Sequence, residues 1–260
     1  MSAANAGTLY VVATPIGNLE DITSRALRVL READVVAAED TRHTRRLLQH
    51  FGIGTRVVSY HDHSGPGRLA SLLECMANGQ TVALVSDAGS PAISDPGYPL
   101  LRDAVAQGTR VVSVPGPSAV IAALTVAALP TDRFAFLGFA PRKSGARRSL
   151  FAEYAERPET LVVYESPHRV LSLLEDAHAA LGDRHAAVCR ELTKLHEEAR
   201  RGLLTELIAG QKRTPARGEI VVVIAGATRE ERREARRAER RSERDGERDS
   251  ERGRDDADTA

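Results

Sequence analysis

The segment spanning residues 81–99 constrains the fold more than any other part of the chain. Residues 81–85, TVALV, form an apolar run typical of a parallel strand that is covered on both faces. The next residues, SDAGSPAISDPG, are rich in turn formers that fix a tight backbone path. Open α/β sheets bind ligands outside the carboxyl ends of their strands. We therefore predict a ligand-binding loop here, although Asp, Gly and Pro also crowd ordinary surface turns.

Three further strands are predicted to end at the same edge. They cover residues 9–13, 35–38 and 110–114, and they run into TPIGNL, the pair Glu39-Asp40, and PGPSA. Helical patterns over residues 23–33, 68–78, 98–107 and 120–128 alternate with the strands, which favours an α/β domain over residues 8–129. No G-x-G-x-x-G follows the first strand, so a dinucleotide site is not indicated. Glu39 and Asp40 fit either the same site or a plain helix N-cap.

The rest of the chain predicts a second α/β domain over residues 130–227. Its strands cover residues 134–139, 160–164, 186–190 and 219–225, and a helix covers 170–181. A basic loop, APRKSGARR, follows the first of these strands, beside three phenylalanines. Such a loop suits phosphate contacts, although a charge run is often only a solvated face. Residues 228–260 consist mainly of Arg, Glu, Asp and Ser and are predicted to be a disordered tail.

Composition restricts the class of protein. The 260 residues carry 36 basic and 36 acidic side chains, so no global field indicates a polyanionic partner. Cys75 and Cys189 lack metal-ligand spacing and suit reduced thiols. The N-terminus shows no secretory pattern, and the longest apolar stretch, residues 119–129, is too short to span a bilayer. We expect a soluble cytoplasmic protein with no membrane partner.

The run His61-Asp62-His63 raises the possibility of a metal site. It lies in a loop rich in Gly and Pro and supplies at most a partial set of ligands. A solvated loop is the favoured interpretation, and we predict no metal-ligating residues, while the sequence leaves open whether a metal ion assists.

Eight motifs in order give the chain a family resemblance. They are LYVVATPIGNLEDIT, AAEDTRHTRRLL, LVSDAGSPAISDPG, VPGPSA, FLGFAPRK, YESPHR, RELTKLHEE and GEIVVVIAG. Together they resemble the tetrapyrrole methylase superfamily, and within it the RsmI-type 16S ribosomal RNA methyltransferases. TPIGNL, FLGFAPRK and YESPHR point to this RNA branch.

The resemblance implies two α/β domains of the tetrapyrrole methylase type, with S-adenosyl-L-methionine in the cleft between them. It also implies a homodimer that methylates the ribose 2′-hydroxyl of a cytidine in the decoding centre of 16S rRNA, within the 30S subunit. The positions that match the family's cofactor site are Pro15, Ile16, Gly17, Asp87, Ala88, Ser90, Ser118 and Ala119, with Tyr164 and Gly218 from the second domain.

Methylation of a hydroxyl requires a base, or a cation that stabilises the emerging alkoxide. The candidates are Glu165, His168, Glu191, Lys194 and Lys143. Among these we favour Glu165 and His168, because they follow a strand end together, and we keep Lys194 as a third catalytic residue. Glu165 and Arg169 could instead cap the following helix. The predicted RNA-binding residues are Arg142, Lys143, Arg147, Arg148 and Arg169.

Three other functions remain open from the residues alone. A methylase of a tetrapyrrole small molecule would use the same cofactor, although the basic residues around Lys143 argue against it. A noncatalytic ribosome-binding protein would act through the Arg-rich tail but would leave the convergent loops unexplained. A metal hydrolase based on His61, Asp62 and His63 is the weakest of the three.

Overall fold

The computed structural model describes residues 7–61, 64–233 and 237. The described residues up to Val126, together with Arg190–Glu198, form one unit, which we call unit 1. Residues 127–189 and those from Ala199 onward form unit 2. The second domain predicted from sequence includes residues 190–198, whereas their contacts place them with unit 1. Most of the predicted tail lies outside the described residues, but residues 229–233 are helical.

Unit 1 contains a parallel sheet with helices on both faces. Its strands are β1 (Thr8–Val12), β2 (Val35–Ala38), β3 (Val57–Ser59), β4 (Val82–Val85) and β5 (Arg110–Val114). Its helices are α1 (Ser24–Glu32), α2 (Thr41–His50), α3 (Pro66–Ala77), α4 (Tyr98–Ala106) and α5 (Ala119–Ala127). The strand order is β3-β2-β4-β1-β5, and every neighbouring pair is parallel. The strands predicted at residues 9–13, 35–38, 81–85 and 110–114 are confirmed to within a residue or two.

The strand order creates a switch point in the middle of this sheet. β1 and β4 are neighbours, but the chain leaves β1 toward β2 on one side and leaves β4 toward β5 on the other. Right-handed crossovers therefore place α1 and α4 on opposite faces. The two apolar cores agree, since one contains Leu30 of α1 and the other contains Leu100 of α4. Ligands in such sheets bind where the strand order reverses, outside the carboxyl ends.

Unit 2 contains a five-stranded mixed sheet. Its strands are β6 (Phe134–Phe139), β7 (Thr160–Glu165), β8 (His185–Arg190), β9 (Glu198–Leu203) and β10 (Ile220–Ile224), in the order β6-β7-β10-β8-β9. β7 is parallel to β6 and antiparallel to β10. Its helices are α6 (Ser144–Ala152), α7 (Val170–Leu181) and α8 (Leu204–Arg213).

Several elements of unit 2 differ from the sequence prediction, which gave no helix at the position of α8. The basic stretch expected as a loop becomes helical from Ser144. Strand β9, with the sequence EARRGL, was not predicted, because its charged residues hide the alternation that marks a strand. It lies at the edge of the sheet, where polar side chains can face solvent.

No helix in the described part of the chain is long and apolar enough to cross a membrane.

Candidate active site

The first two predicted cofactor loops are joined by backbone hydrogen bonds. The Thr14 amide donates to the Gly89 carbonyl at 2.9 Å, and the Gly89 amide donates to the Thr14 carbonyl at 3.0 Å. The Thr14 hydroxyl also donates to the Ser86 carbonyl at 3.2 Å. These bonds lie at the adjacent carboxyl ends of β1 and β4, so the loops emerge at the switch point of the sheet.

The third loop, PGPSA, meets the other two. A Cβ atom added to Gly89 would lie 3.5 Å from Ile16 Cγ2 and 3.8 Å from the Pro117 carbonyl oxygen. A Cβ atom on Gly116 would lie 3.1 Å from the Ala13 Cβ. Because small residues occupy these points, the three loops pack directly against one another. The convergence expected from the sequence is present within unit 1.

The predicted cofactor residues of unit 1 divide into supporting and accessible positions. Pro15 and Ile16 are buried, whereas Gly17 and Ala88 are exposed. Four others are half-buried: Asp87, Ser90, Ser118 and Ala119. The loops therefore present backbone and short side chains to a ligand, on a buried apolar support.

The loop after β4 contains unusual backbone conformations. Ala92 and Ser94 have φ values of 66° and 60°, in the left-handed region that non-glycine residues rarely adopt. Gly97 has φ 136°, and a Cβ atom there would lie 2.9 Å from the Leu84 Cδ2. Strain of this kind persists only where the surrounding structure holds it, and it concentrates at ligand sites.

Asp87 links this loop to helix α2. Its carboxylate accepts a hydrogen bond from the Asp40 amide at 3.0 Å. The Asp40 side chain accepts one from the Arg42 amide at 2.7 Å and so caps α2. Hydrogen bonds from Arg42 lower the pKa of Asp40 to about 2. The N-cap interpretation of Asp40 is therefore correct, and its backbone also anchors the second cofactor loop.

The loop of residues 190–198 brings a lysine to the first cofactor loop. The Lys194 ammonium lies 3.1 Å from a Glu191 carboxylate oxygen. A Cβ atom on Gly17 would overlap the Lys194 Cγ and lie 2.8 Å from its Cε, so the lysine stem rests on the glycine. Glu191 and Thr193 hold this loop at positive φ, 49° and 66°. The sequence separates Gly17 and Lys194 too widely for this contact to be predicted.

In unit 2, the buried Glu165 carboxylate forms an ion pair with a partly exposed arginine. The Glu165 side chain is 1% exposed and lies 3.0 Å from Arg169 Nη2, while its other oxygen accepts from the Ser166 amide at 2.7 Å. Arg169 Nη2 also donates to the carbonyls of Ala140 and Pro141, at 2.8 and 3.0 Å. The pair therefore fastens the start of the basic stretch to the end of β7.

The structure does not support RNA contact by Arg147. This residue is 3% exposed, and its guanidinium lies 2.5 Å from the Asp176 carboxylate. It also donates to the Pro141 and Arg142 carbonyls at 3.2 and 3.4 Å. The reason is the unpredicted helix α6. Successive residues point about 100° apart on a helix, so Arg147 turns inward while Arg148 stays outside.

The other basic residues of this stretch face solvent. Arg142 and Lys143 are exposed, and Arg148 is 59% exposed while it donates to Asp176 at 2.7 Å. Burial raises the pKa of Asp176, but hydrogen bonds from Arg148, Ser144 and Arg147 outweigh that effect and leave it below its usual value.

His168 is exposed in the turn after β7. Tyr164 contacts Phe136 and Phe139 edge to face, with ring centroids 4.8 and 5.5 Å apart. Gly218, with φ 79°, lies just before β10, which pairs with this end of β7.

Phe139 is a candidate that the sequence reasoning missed. It is 62% exposed, and it directly precedes the basic stretch. A β-bulge between Phe136 and Phe139, with Gly138 at φ 62°, sets its orientation. The signals in the sequence were the three phenylalanines beside the basic stretch and the glycine that interrupts the run FLGF.

No cluster of three or more His, Cys, Asp or Glu side chains within residues 7–61, 64–233 and 237 is placed to hold a metal ion. Asp62 and His63, from the proposed metal run, lie outside the described residues.

Curated relatives are identical to this chain at about half of the aligned residues. "Ribosomal RNA small subunit methyltransferase I" of Pseudomonas aeruginosa is 52% identical over 226 residues, 85% of this chain and 80% of the relative. The protein of the same name from Halalkalibacterium halodurans is 49% identical, over 85% of this chain and 76% of the relative. Among solved structures, a cobalt precorrin-4 methyltransferase of cobalamin biosynthesis superposes with a TM-score of 0.63. It is 19% identical and covers 84% of this chain and 94% of its own, a likeness in fold.

Residues 8–208 match the family model described as Tetrapyrrole (Corrin/Porphyrin) Methylases. S-adenosyl-L-methionine is the cofactor of this family. The residues of unit 1 fit such a ligand, because three loops of small residues converge at the switch point and expose backbone at Gly17 and Ala88. The chain belongs to the tetrapyrrole methylase family, and within it to the group of proteins named ribosomal RNA small subunit methyltransferase I.

Proposed function

We propose that this protein transfers a methyl group from S-adenosyl-L-methionine to the ribose 2′-hydroxyl of a cytidine in the decoding centre of 16S rRNA, position 1402 in the usual rRNA numbering. The observation that carries the proposal is the identity of about 50% to relatives named for small-subunit ribosomal RNA, across 85% of the chain. The convergent loops of unit 1 and the exposed basic residues of unit 2 support it.

The reaction forms a bond between the ribose 2′-oxygen and the methyl carbon and breaks the sulfur–methyl bond, and the hydroxyl proton leaves to a base. S-adenosyl-L-methionine supplies the methyl group as an electrophile on a positively charged sulfur. Holding the reactants in line can account for about 7–11 kcal/mol of the barrier. Rigid loops suit this task, and those of unit 1 are fixed by paired backbone hydrogen bonds and by the anchor from Asp87 to Asp40.

For the cofactor we propose the residues predicted from the sequence. Pro15, Ile16 and Gly17 form the first loop, Asp87, Ala88 and Ser90 the second, and Ser118 and Ala119 the third. Tyr164 and Gly218 are proposed contacts from unit 2. The short side chains allow the backbone to approach the ligand closely.

For catalysis, Lys194 gains support from the structure. Its stem is held on Gly17 and its ammonium by Glu191, so a positive charge lies beside the first cofactor loop. A cation at this place would stabilise the emerging alkoxide. We retain Glu165 and His168 as candidates for the base. The burial of Glu165 and its contact with Arg169 give it a structural role as well, whereas His168 is exposed and accessible.

For RNA we propose contacts by Arg142, Lys143 and Arg148, with Arg147 and Arg169 holding the backbone that presents them. Both guanidiniums, that of the buried Arg147 and that of the half-buried Arg169, bind the Pro141 carbonyl, at 3.2 and 3.0 Å. Exposed Phe139 can add base stacking, which combines well with basic side chains in single-strand recognition. We further propose that the substrate is the 30S subunit and that the enzyme is a cytoplasmic homodimer.

The test is transfer of radiolabelled methyl from S-adenosyl-L-methionine to 30S subunits and to naked 16S RNA, both from cells lacking the modification, with the labelled nucleotide mapped. Label on the ribose of the decoding-centre cytidine is expected. Absence of label on both RNAs, despite measurable cofactor binding, would overturn the proposal and direct the search to small-molecule tetrapyrroles.

The catalytic residues are tested in the same assay. Glu165→Gln, His168→Ala and Lys194→Met should each reduce methyl transfer far more than they reduce cofactor affinity measured by calorimetry. Lys194→Arg should recover part of the activity, because it keeps the charge. An equal loss of transfer and of cofactor affinity would contradict a catalytic role for the residue concerned.

A further inference from the structure

Helix α2 carries an arginine stripe that the catalytic proposal does not use. Arg42, Arg45, Arg46 and Gln49 follow the spacing i, i+3, i+4, i+7, and all four are exposed. The opposite side of the helix buries Thr44, Leu47 and Leu48. Helical geometry therefore gathers the four polar side chains on one outward face, about 10 Å long.

The charges of this stripe are largely uncompensated. Residues 41–50 include no Asp or Glu. Arg42 pairs with Asp40 at 3.1 Å, but neither Arg45 nor Arg46 forms an ion pair with a described residue. On α1, by contrast, Arg28 pairs with Glu32 at 2.9 Å. The stripe thus presents a positive potential that an anionic partner would neutralise.

The stripe begins beside the active-site loops and ends in a groove. Its N-cap, Asp40, is held by Asp87 of the second cofactor loop. At the other end an open groove of about 650 Å³ is lined by Arg45, Gln49 and Arg56, among others. Arginine suits phosphate because its planar donors can bind two oxygens at once.

The chemistry of this face favours a nucleic-acid backbone over a protein. Protein interfaces usually combine arginine with buried aromatic or apolar anchors, and the exposed residues of α2 include no aliphatic, Phe, Tyr or Trp side chain. We infer that the three arginines of the α2 stripe, together with Arg56 in the groove, form a phosphate-binding track for the RNA substrate. The three are Arg42, Arg45 and Arg46. This inference rests on the proposed function and adds an RNA surface on unit 1 to the basic residues of unit 2.

The test compares two double charge reversals in the full-length protein. R45E/R46E should bind unmethylated 30S subunits about tenfold or more weakly, and the slope of log affinity against log salt should fall by about 1 to 2. R102E/R110E makes the same change in net charge on α4 and β5, on the opposite face and the far edge strand of the same sheet. It should retain both the affinity and the slope.

Cofactor affinity is measured for both variants and should equal that of the wild type, which shows that the loops are intact. Unchanged RNA affinity and slope in R45E/R46E, or an equal loss in R102E/R110E, would overturn the track. These outcomes are separate from failure of the proposed function. A wild-type protein that binds 30S subunits without methylating them contradicts the enzymatic proposal alone, because the track is still measured by binding.

Discussion

Unit 1 and unit 2 both collect polar residues after strand ends, but they hold them in different ways. In unit 1 the loops are joined through backbone hydrogen bonds and small residues, and the exposed predicted cofactor positions are Gly17 and Ala88. In unit 2 the corresponding residues form a network of arginines and carboxylates, in which Arg147 and Glu165 are buried. A charged residue that follows a strand can therefore either contact a ligand or stabilise the fold. The burial of its side chain distinguishes these two roles.

The largest expected effect tests the scaffold in unit 2. Asp176→Asn leaves the buried Arg147 without its counter-ion, and breaking such a pair typically costs about 3–5 kcal/mol. The measurement is the free energy of unfolding in urea, followed by circular dichroism. The control is Glu32→Gln in the exposed pair with Arg28, where about 0.3–0.5 kcal/mol is expected. Similar losses in both variants would show that the unit 2 network is not a scaffold.

The next effect tests the close contact in unit 1. Gly17→Ala should force the Lys194 stem away from the first cofactor loop, and displacement by about 1 Å can lower turnover about a hundredfold. Steady-state methyl transfer gives the rate, and thermal unfolding should be unchanged. Gly210→Ala is the matched control, because a Cβ atom there meets nothing within 4 Å.

A double variant decides whether Gly17 acts through Lys194. If the added methyl group in Gly17→Ala lowers the rate only by displacing Lys194, then the double variant Gly17→Ala/Lys194→Ala should transfer methyl groups as fast as Lys194→Ala alone. Additive losses would mean that the glycine serves the cofactor directly and that the lysine contact is incidental.

Acid should weaken the scaffold of unit 2 specifically. In the folded protein the pKa of Asp176 lies below its ordinary value of 3.8. The ionised carboxylate therefore contributes fully to the free energy of unfolding above about pH 4, and this contribution is lost as the pH falls below about 4. The stability difference between wild type and Asp176→Asn should therefore be constant near neutrality and shrink below pH 4. Urea unfolding of both proteins across this range gives the difference, and a constant difference down to pH 3 would exclude the carboxylate as its source.

The smallest expected effect is a gain in the free energy of unfolding. Gly210 lies inside α8 with open space around it, so Gly210→Ala should stabilise the protein by about 0.5–1 kcal/mol through helix propensity. The urea midpoint measures the gain, and methyl transfer should not change. A loss of activity would show that α8 contributes to function as well as to stability.

The sequence by itself determined most of unit 1. The apolar runs and the Gly- and Pro-rich loops after them predict β1, β2, β4 and β5 correctly, because a buried parallel strand needs a continuous apolar run and its end needs turn formers. The convergence of the loops also follows, since the carboxyl ends of parallel strands share one edge. The family follows from eight motifs in order.

Only the tertiary structure decided the roles of individual charges. Whether Arg147 faces RNA or Asp176 depends on helix α6 and on a carboxylate 29 residues away, and no local pattern encodes that distance. Lys194 meets Gly17 because the loop of residues 190–198 packs with unit 1. Strand β9 was missed because it is polar at a sheet edge. Local sequence sets backbone propensity and apolar faces, whereas pairing between distant charges is set by packing, so the site's charges emerge only in three dimensions.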